Sequence, residues 1–147
     1  VFSSTSERQE SAVSLGRPKG EITVEEVSYT YLEDMPAVVD KVSLVFKAGG
    51  VHALVGRDGS GKSTLIKLIQ GLYTPDESRV LLDGADLGQF TRTELAGWMG
   101  YVPQECTLFQ GTVCENIAHR KPDDDDEIIK AATAAGVHQF IIDMPDG

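Results

Sequence analysis

The chain has 147 residues, 41% of them hydrophobic and 24% charged, enough for one domain with a real core and too few for two ordinary ones. Thirteen Lys and Arg against 23 Asp and Glu give a formal charge of −10, which excludes a general nucleic-acid or anionic-membrane surface. No window approaches about 18 uninterrupted apolar residues, so no membrane-spanning helix is expected, and VFSSTSERQE has neither the basic start nor the apolar run of a secretory signal.

In chain order, residues 1–20 are rich in Ser, Glu, Arg and Gly and read as a flexible leader or linker. EITVEEVSYTY then predicts a strand from its β-branched and aromatic residues, broken by LEDMP. In VVDKVSLVF, Val38, Val42, Leu44 and Phe46 share one parity, as on the buried face of a half-buried strand. Ala48-Gly49-Gly50 turns the chain into VHALVG, a short, nearly all-apolar run expected as a strand covered on both faces. TLIKLIQGLY places Leu65, Leu68, Ile69 and Leu72 at helical spacing, with Gly71 near the end. RVLLDG is another strand with a turn, TRTELAG a short helix capped by Thr91 or Thr93, and MGYVPQ a strand stopped by Pro103. GTVCENIA and DEIIKAATAAG are helical.

The acidic run Asp123–Asp126 precedes the last of these helices. It is expected to complement the helix dipole rather than to hold a metal, because adjacent carboxylates diverge. Cys106 and Cys114 form no CxxC pair and read as two reduced thiols, as in a reducing compartment. His52, His119 and His138 are scattered surface or packing residues.

Between the apolar run and the amphipathic helix lies GRDGSGKST, residues 56–64, which fits G-x-x-x-x-G-K-[ST]. A loop that wraps a phosphate aims successive N–H groups inward, through backbone angles best tolerated at Gly56, Gly59 and Gly61. The helix that starts near Gly61 adds free N–H groups and the positive end of its dipole. Lys62 reaches the β- and γ-phosphates, Ser63 offers a hard oxygen to Mg²⁺ and Thr64 donates near the α-phosphate. With glycine at about 7% of residues, chance yields the pattern on the order of once in a few hundred such chains. The stretch 56–64, with Arg57, Asp58 and Ser60 contributing backbone, reads as a cradle for a nucleoside triphosphate.

VSYTY, VGRDGSGKSTL, VLLDGADL and YVPQECTLFQGTVCENI, in this order and spacing, resemble the nucleotide-binding domain of ABC transporters from about Glu21 to the last residue. LFQGTVCENI is most similar to exporters, and GRDGSGKST followed by GLY to bacterial type I protein-secretion exporters. The resemblance implies an α/β fold: a P-loop NTPase core of strand, loop and helix, an N-terminal antiparallel β subdomain, and the start of a helical subdomain, the whole being incomplete. Residues 21–104 would be the ATP-binding core and 105–147 the start of the helical subdomain.

It also implies that Tyr31 stacks on adenine, with Tyr29 as the alternative, and that Gln104 touches Mg²⁺ and senses the γ-phosphate. Lys62 and Gln104 would be the catalytic residues, with Ser63 and Gln104 at the metal. ATP and Mg²⁺ are the implied cofactors. The implied partners are a transmembrane domain, contacted through the region of Phe109 and Glu115, and a second nucleotide-binding domain, at the cytoplasmic face of a membrane. The 1–20 linker would descend from the last transmembrane helix.

Asp58 departs from the Ser or Asn of many relatives, and Gly50 from an acidic residue. The LSGGQ signature, the Asp-ending strand, the catalytic Glu and the switch His are not in the sequence. An export ATPase is therefore expected of the parent, and weak Mg-ATP binding with negligible turnover of this chain alone, together with unpaired sheet edges and self-association. A soluble ABC ATPase without a transport role and a nucleotide-sensing module are the alternatives.

Overall fold

The computed structural model describes residues 16–118 and 125–145. The chain divides into two compact units at Tyr101/Val102. The 1–15 part of the leader, His119 and Asp123–Asp124 lie outside the described residues.

The first unit is built on a four-stranded antiparallel sheet. Its strands are β1 (Ile22–Tyr29), β2 (Val39–Phe46), β3 (Glu77–Leu82) and β4 (Ala85–Asp86), in the order β2-β1-β3-β4. Asp83 and Gly84, with φ of 49° and 84°, make the two-residue turn between β3 and β4, the geometry that Asp-Gly favours in hairpins. Asp83 also fastens the chain entering the sheet. Its carboxylate accepts the N–H groups of Lys19 (2.5 Å), Gly20 (3.2 Å) and Glu21 (2.9 Å).

Two bulges reset the sheet. The pairing steps from Val24↔Leu44 to Val27↔Val42, then to Tyr29↔Val39, so β1 and β2 each carry one extra residue. Glu26 and Lys41 sit there with φ of 44° and 46°, and their N–H groups donate to the hydroxyls of Ser43 and Ser28, both at 3.0 Å. A bulge transfers following side chains to the other face. The single parity expected for Val38, Val42, Leu44 and Phe46 is corrected accordingly: Val39 is the buried residue of β2, and Leu44 is exposed.

Helix α1 (Lys62–Ile69) buries Leu65 and Leu68 in one cluster with Val24, Val27, Val39, Val80 and Leu82. Leu72 lies past its end and is exposed, because the helix closes at Gly71, φ 67°, with Leu72 N–H bonded to the Lys67 carbonyl at 3.0 Å. A short 3₁₀ turn, Leu87–Gln89, leads to α2 (Arg92–Trp98). Thr91 caps α2 with Glu94 in a reciprocal capping box. Phe90, fully buried, meets Trp98 edge-on at 5.3 Å.

Two expected strands do not form. Residues 51–56 and 99–104 carry no strand, and Val51, Val55 and Val102 are 100%, 89% and 86% exposed. An apolar strand of a covered sheet exists only through pairing on its flanks. No strand among the described residues pairs with either segment.

The second unit holds α3 (Val113–Ala118), α4 (Asp125–Ala134) and α5 (His138–Ile142). Thr112 caps α3: its hydroxyl accepts the Glu115 N–H at 3.2 Å, and the Glu115 carboxylate accepts the Thr112 N–H at 2.7 Å. These bonds hold the Glu115 carboxyl below its usual range. Asn116 ties the preceding loop to the helix, accepting the Phe109 N–H at 2.8 Å and donating to the Phe109 and Thr112 carbonyls. Asp125, Asp126 and Glu127 occupy the first turn of α4, as the dipole favours. Among the described residues no cluster of His, Cys, Asp and Glu could hold a metal. Both cysteines are free.

Candidate functional site

The loop 56–61 passes from an irregular segment into α1, and its shape follows from its glycines. Gly59 and Gly61 have φ of 76° and 82°, in the left-handed region that other residues seldom occupy. Gly61 is also pressed against the chain entering β2, where a Cβ would lie 2.5 Å from the Val38 carbonyl oxygen. At Gly56 a Cβ would meet the Ser60 hydroxyl at 2.8 Å, so a side chain there would make that hydroxyl turn aside. Gly61 caps α1 without a side-chain bond, and no acidic residue stands in the first turn. The first N–H groups of a helix lack carbonyl partners within it, so this terminus keeps its positive end.

Lys62 folds back over the loop. Its ammonium donates to the carbonyls of Gly56 (2.9 Å) and Arg57 (2.6 Å) and approaches the Ser60 hydroxyl at 3.4 Å. The cation is thus held over the loop by two of its backbone oxygens. Ser63 is exposed at the helix start, whereas Thr64 is 5% exposed. Asp58 is exposed in the turn of the loop. These groups fit a magnesium-bound triphosphate: the open N-terminus of a helix, one ammonium, one accessible hydroxyl and no carboxylate in the first turn.

Tyr31 lies two residues past β1 and is 47% exposed. Its hydroxyl is 2.9 Å from that of Thr64, which places an aromatic face beside the first turn of α1. Tyr29 stands edge-on to Tyr31, with centroids 5.2 Å apart, but packs against the core. Burial, then the neighbouring Tyr73, Tyr31 and Asp76, raises its hydroxyl above the ordinary tyrosine range. Tyr29 is therefore a supporting ring, and Tyr31 the accessible one.

Sequence reasoning missed Tyr73. It stacks on Tyr29 at 5.1 Å with parallel planes and meets Tyr31 edge-on at 5.9 Å. Its signal was an aromatic residue just beyond the helix that carries the loop. Gln104 belongs to the second unit, where it stands exposed in a bend. The structure therefore brings Tyr31 and residues 56–64 together within one unit.

A loop of this shape at a helix terminus, flanked by an antiparallel sheet and an accessible tyrosine, defines a P-loop nucleotide-binding module. Residues 39–145 match the ABC transporter family, and the chain belongs to it. It is 42% identical over 130 residues to the cyclolysin secretion/processing ATP-binding protein CyaB of Bordetella pertussis, covering 88% of this chain and 18% of that protein. To the leukotoxin export ATP-binding protein LtxB of Aggregatibacter actinomycetemcomitans it is 38% identical over 148 residues, covering 100% of this chain and 21% of that one. The fold matches a bacterial Atm1-family ABC exporter solved with ATP bound, at a TM-score of 0.83 and 35% identity, over 95% of this chain and 24% of the other. The chain thus spans about a fifth of the length of these curated relatives. No described helix is long and apolar enough to cross a membrane.

Proposed function

We propose that this chain supplies the ATP-binding face of an export ATPase, with loop 56–61 and the α1 terminus cradling the triphosphate and Tyr31 stacking on adenine. The observation that carries this reading is the Lys62 ammonium, centred over Gly56 and Arg57 at the open end of α1. Lys62 would turn from those carbonyls to the β- and γ-phosphates. Ser63 would ligate Mg²⁺, Thr64 would donate near the α-phosphate, and Gln104 would touch the metal, as the family resemblance implies. Backbone at Gly56, Arg57, Asp58, Gly59, Ser60 and Gly61 would line the remaining phosphate oxygens. Bound magnesium would neutralise phosphate charge, leaving this chain to bind, orient and screen the triphosphate.

The partners we propose are a membrane-embedded domain and a second ATP-binding domain. Similarity to secretion and export proteins supports that reading, and it would place the chain at the cytoplasmic face of a membrane. Alone, the chain is expected to bind ATP and turn it over negligibly. Attack on phosphorus needs a positioned base for water, whereas the loop's one carboxylate, Asp58, is exposed in its turn and the Lys62 ammonium meets only carbonyls and the Ser60 hydroxyl.

Calorimetry with Mg-ATP on the chain and on Lys62→Ala tests the proposal. Binding that Lys62→Ala weakens at least about tenfold is expected, given that a charge-assisted hydrogen bond contributes about 1.5–3 kcal/mol. Unaltered affinity in the variant, or no affinity in folded protein, would overturn it. Lysine-dependent steady-state phosphate release would refute the expected inactivity.

A further inference from the structure

We propose that Tyr73 is a positioning residue for the base-stacking face of Tyr31, acting through a three-tyrosine platform that α1 and the 73–76 segment hold from below. This inference rests on the reading of Tyr31 as the adenine-stacking residue.

The geometry is specific. Tyr31 leaves the sheet after β1 and has no ladder to orient it. Two edge-on ring contacts and one hydroxyl bond fix it instead. Tyr29 lies at 86° and Tyr73 at 87° to its plane, and Thr64 holds its hydroxyl. Tyr29 and Tyr73 are parallel within 1°, so they form one stacked pair whose shared side faces Tyr31. Edge-to-face rings at such separations are mutually attractive because ring edges are positive and faces negative.

The pair is itself anchored to the helix that carries the phosphate loop. The Lys67 ammonium lies 5.3 Å from the Tyr73 ring centre, within reach of a cation–π attraction. Helix α1 therefore meets the platform twice, at Thr64 near its start and at Lys67 near its end. Asp76 clamps the backbone between the first two tyrosines: its carboxylate accepts the Thr30 N–H at 2.6 Å, and its own N–H donates to the Ser28 carbonyl at 3.0 Å. A ring pre-set in this way loses less freedom when a base stacks on it, so the support contributes affinity without touching the ligand.

The test separates the base end of the site from the phosphate end. Mg-ATP and Mg-tripolyphosphate are titrated calorimetrically into the chain and into Tyr73→Leu, Tyr73→Phe, Tyr31→Ala and the double variant Tyr31→Ala/Tyr73→Leu. Tyr73→Leu keeps apolar bulk at the core margin while removing the ring. It should weaken Mg-ATP about 3- to 10-fold and leave tripolyphosphate within about 2-fold, whereas Tyr73→Phe should restore Mg-ATP affinity. Adding Tyr73→Leu to Tyr31→Ala should cost nothing more. Without any nucleotide, the NMR contact between the Tyr31 ring and the Thr64 methyl should fade in Tyr73→Leu and persist in Tyr73→Phe.

Equal loss for both ligands, an additive double variant, or full Mg-ATP affinity in Tyr73→Leu while Tyr31→Ala is weakened would overturn the positioning role. Wild-type protein that binds neither ligand would bring down the nucleotide reading and this proposal with it. Tripolyphosphate binding that equals Mg-ATP binding would remove the platform while leaving the phosphate cradle standing.

Discussion

The hydroxyls of Tyr31 and Thr64 stand 2.9 Å apart, joining the segment that leaves β1 to the first turn of α1 across 33 positions of sequence. Thr64 is buried and Tyr31 half-exposed, so the bond is shielded on one side. A hydroxyl can accept one bond and donate another, which leaves Thr64 able to hold Tyr31 and still donate toward a phosphate. Tyr31→Phe and Thr64→Val should each destabilise the chain, and a double-mutant cycle in urea should return a coupling of about 0.5–1.5 kcal/mol. A coupling indistinguishable from zero would mean that the two hydroxyls do not act together.

Asp58 places a carboxylate in the phosphate loop, yet it is exposed to solvent in the turn. At high dielectric, one charge a few ångströms away contributes about 1 kcal/mol or less. Asp58→Asn should therefore raise Mg-ATP affinity by no more than about fivefold, with the gain shrinking as salt is added. A larger, salt-insensitive gain would place the carboxylate inside the cradle.

Asp83 gathers three backbone N–H groups where the chain enters β1. Partial burial opposes its ionisation, but the N–H groups of Glu21, Gly20 and Lys19 outweigh it and hold the carboxyl below the usual aspartate range. A carboxylate with a depressed folded-state value stabilises fully above its unfolded value and ceases to do so as pH falls through the folded one. The gap in urea midpoint between the chain and Asp83→Asn should thus be constant near neutrality, shrink below about pH 4, and close at lower pH. A gap that widens on acidification would contradict the assignment.

Val51 and Val55 are almost wholly exposed on an irregular segment with no pairing strand among the described residues. Unpaired apolar backbone templates association. Light scattering should show concentration-dependent oligomers, and Val51→Lys/Val55→Lys should shift them toward monomer. A wild-type monomer at every concentration would count against this expectation.

What could be read along the chain was what is local. GRDGSGKST is contiguous, and each residue type answers a requirement of the loop itself: left-handed angles at Gly59 and Gly61, an ammonium at Lys62, a hydroxyl at Ser63. The amphipathic spacing of Leu65 and Leu68, the Thr91 cap of α2 and the acidic first turn of α4 were equally visible, because a helix is specified within a few residues.

What had to come from the folded chain was everything set by distant pairing. Lys41 bulges because β1 and β2 slip by one residue there, and across that slip Val39 is buried while Val42 packs half-buried against the same core. VHALVG has the composition of a buried strand but no flanking strand among the described residues, so composition alone misplaced it. Tyr73 lies far along the sequence from Tyr31 and shares no motif with it. Ring against ring is a contact in space, and it arises only once β1, α1 and the 73–76 segment have folded together.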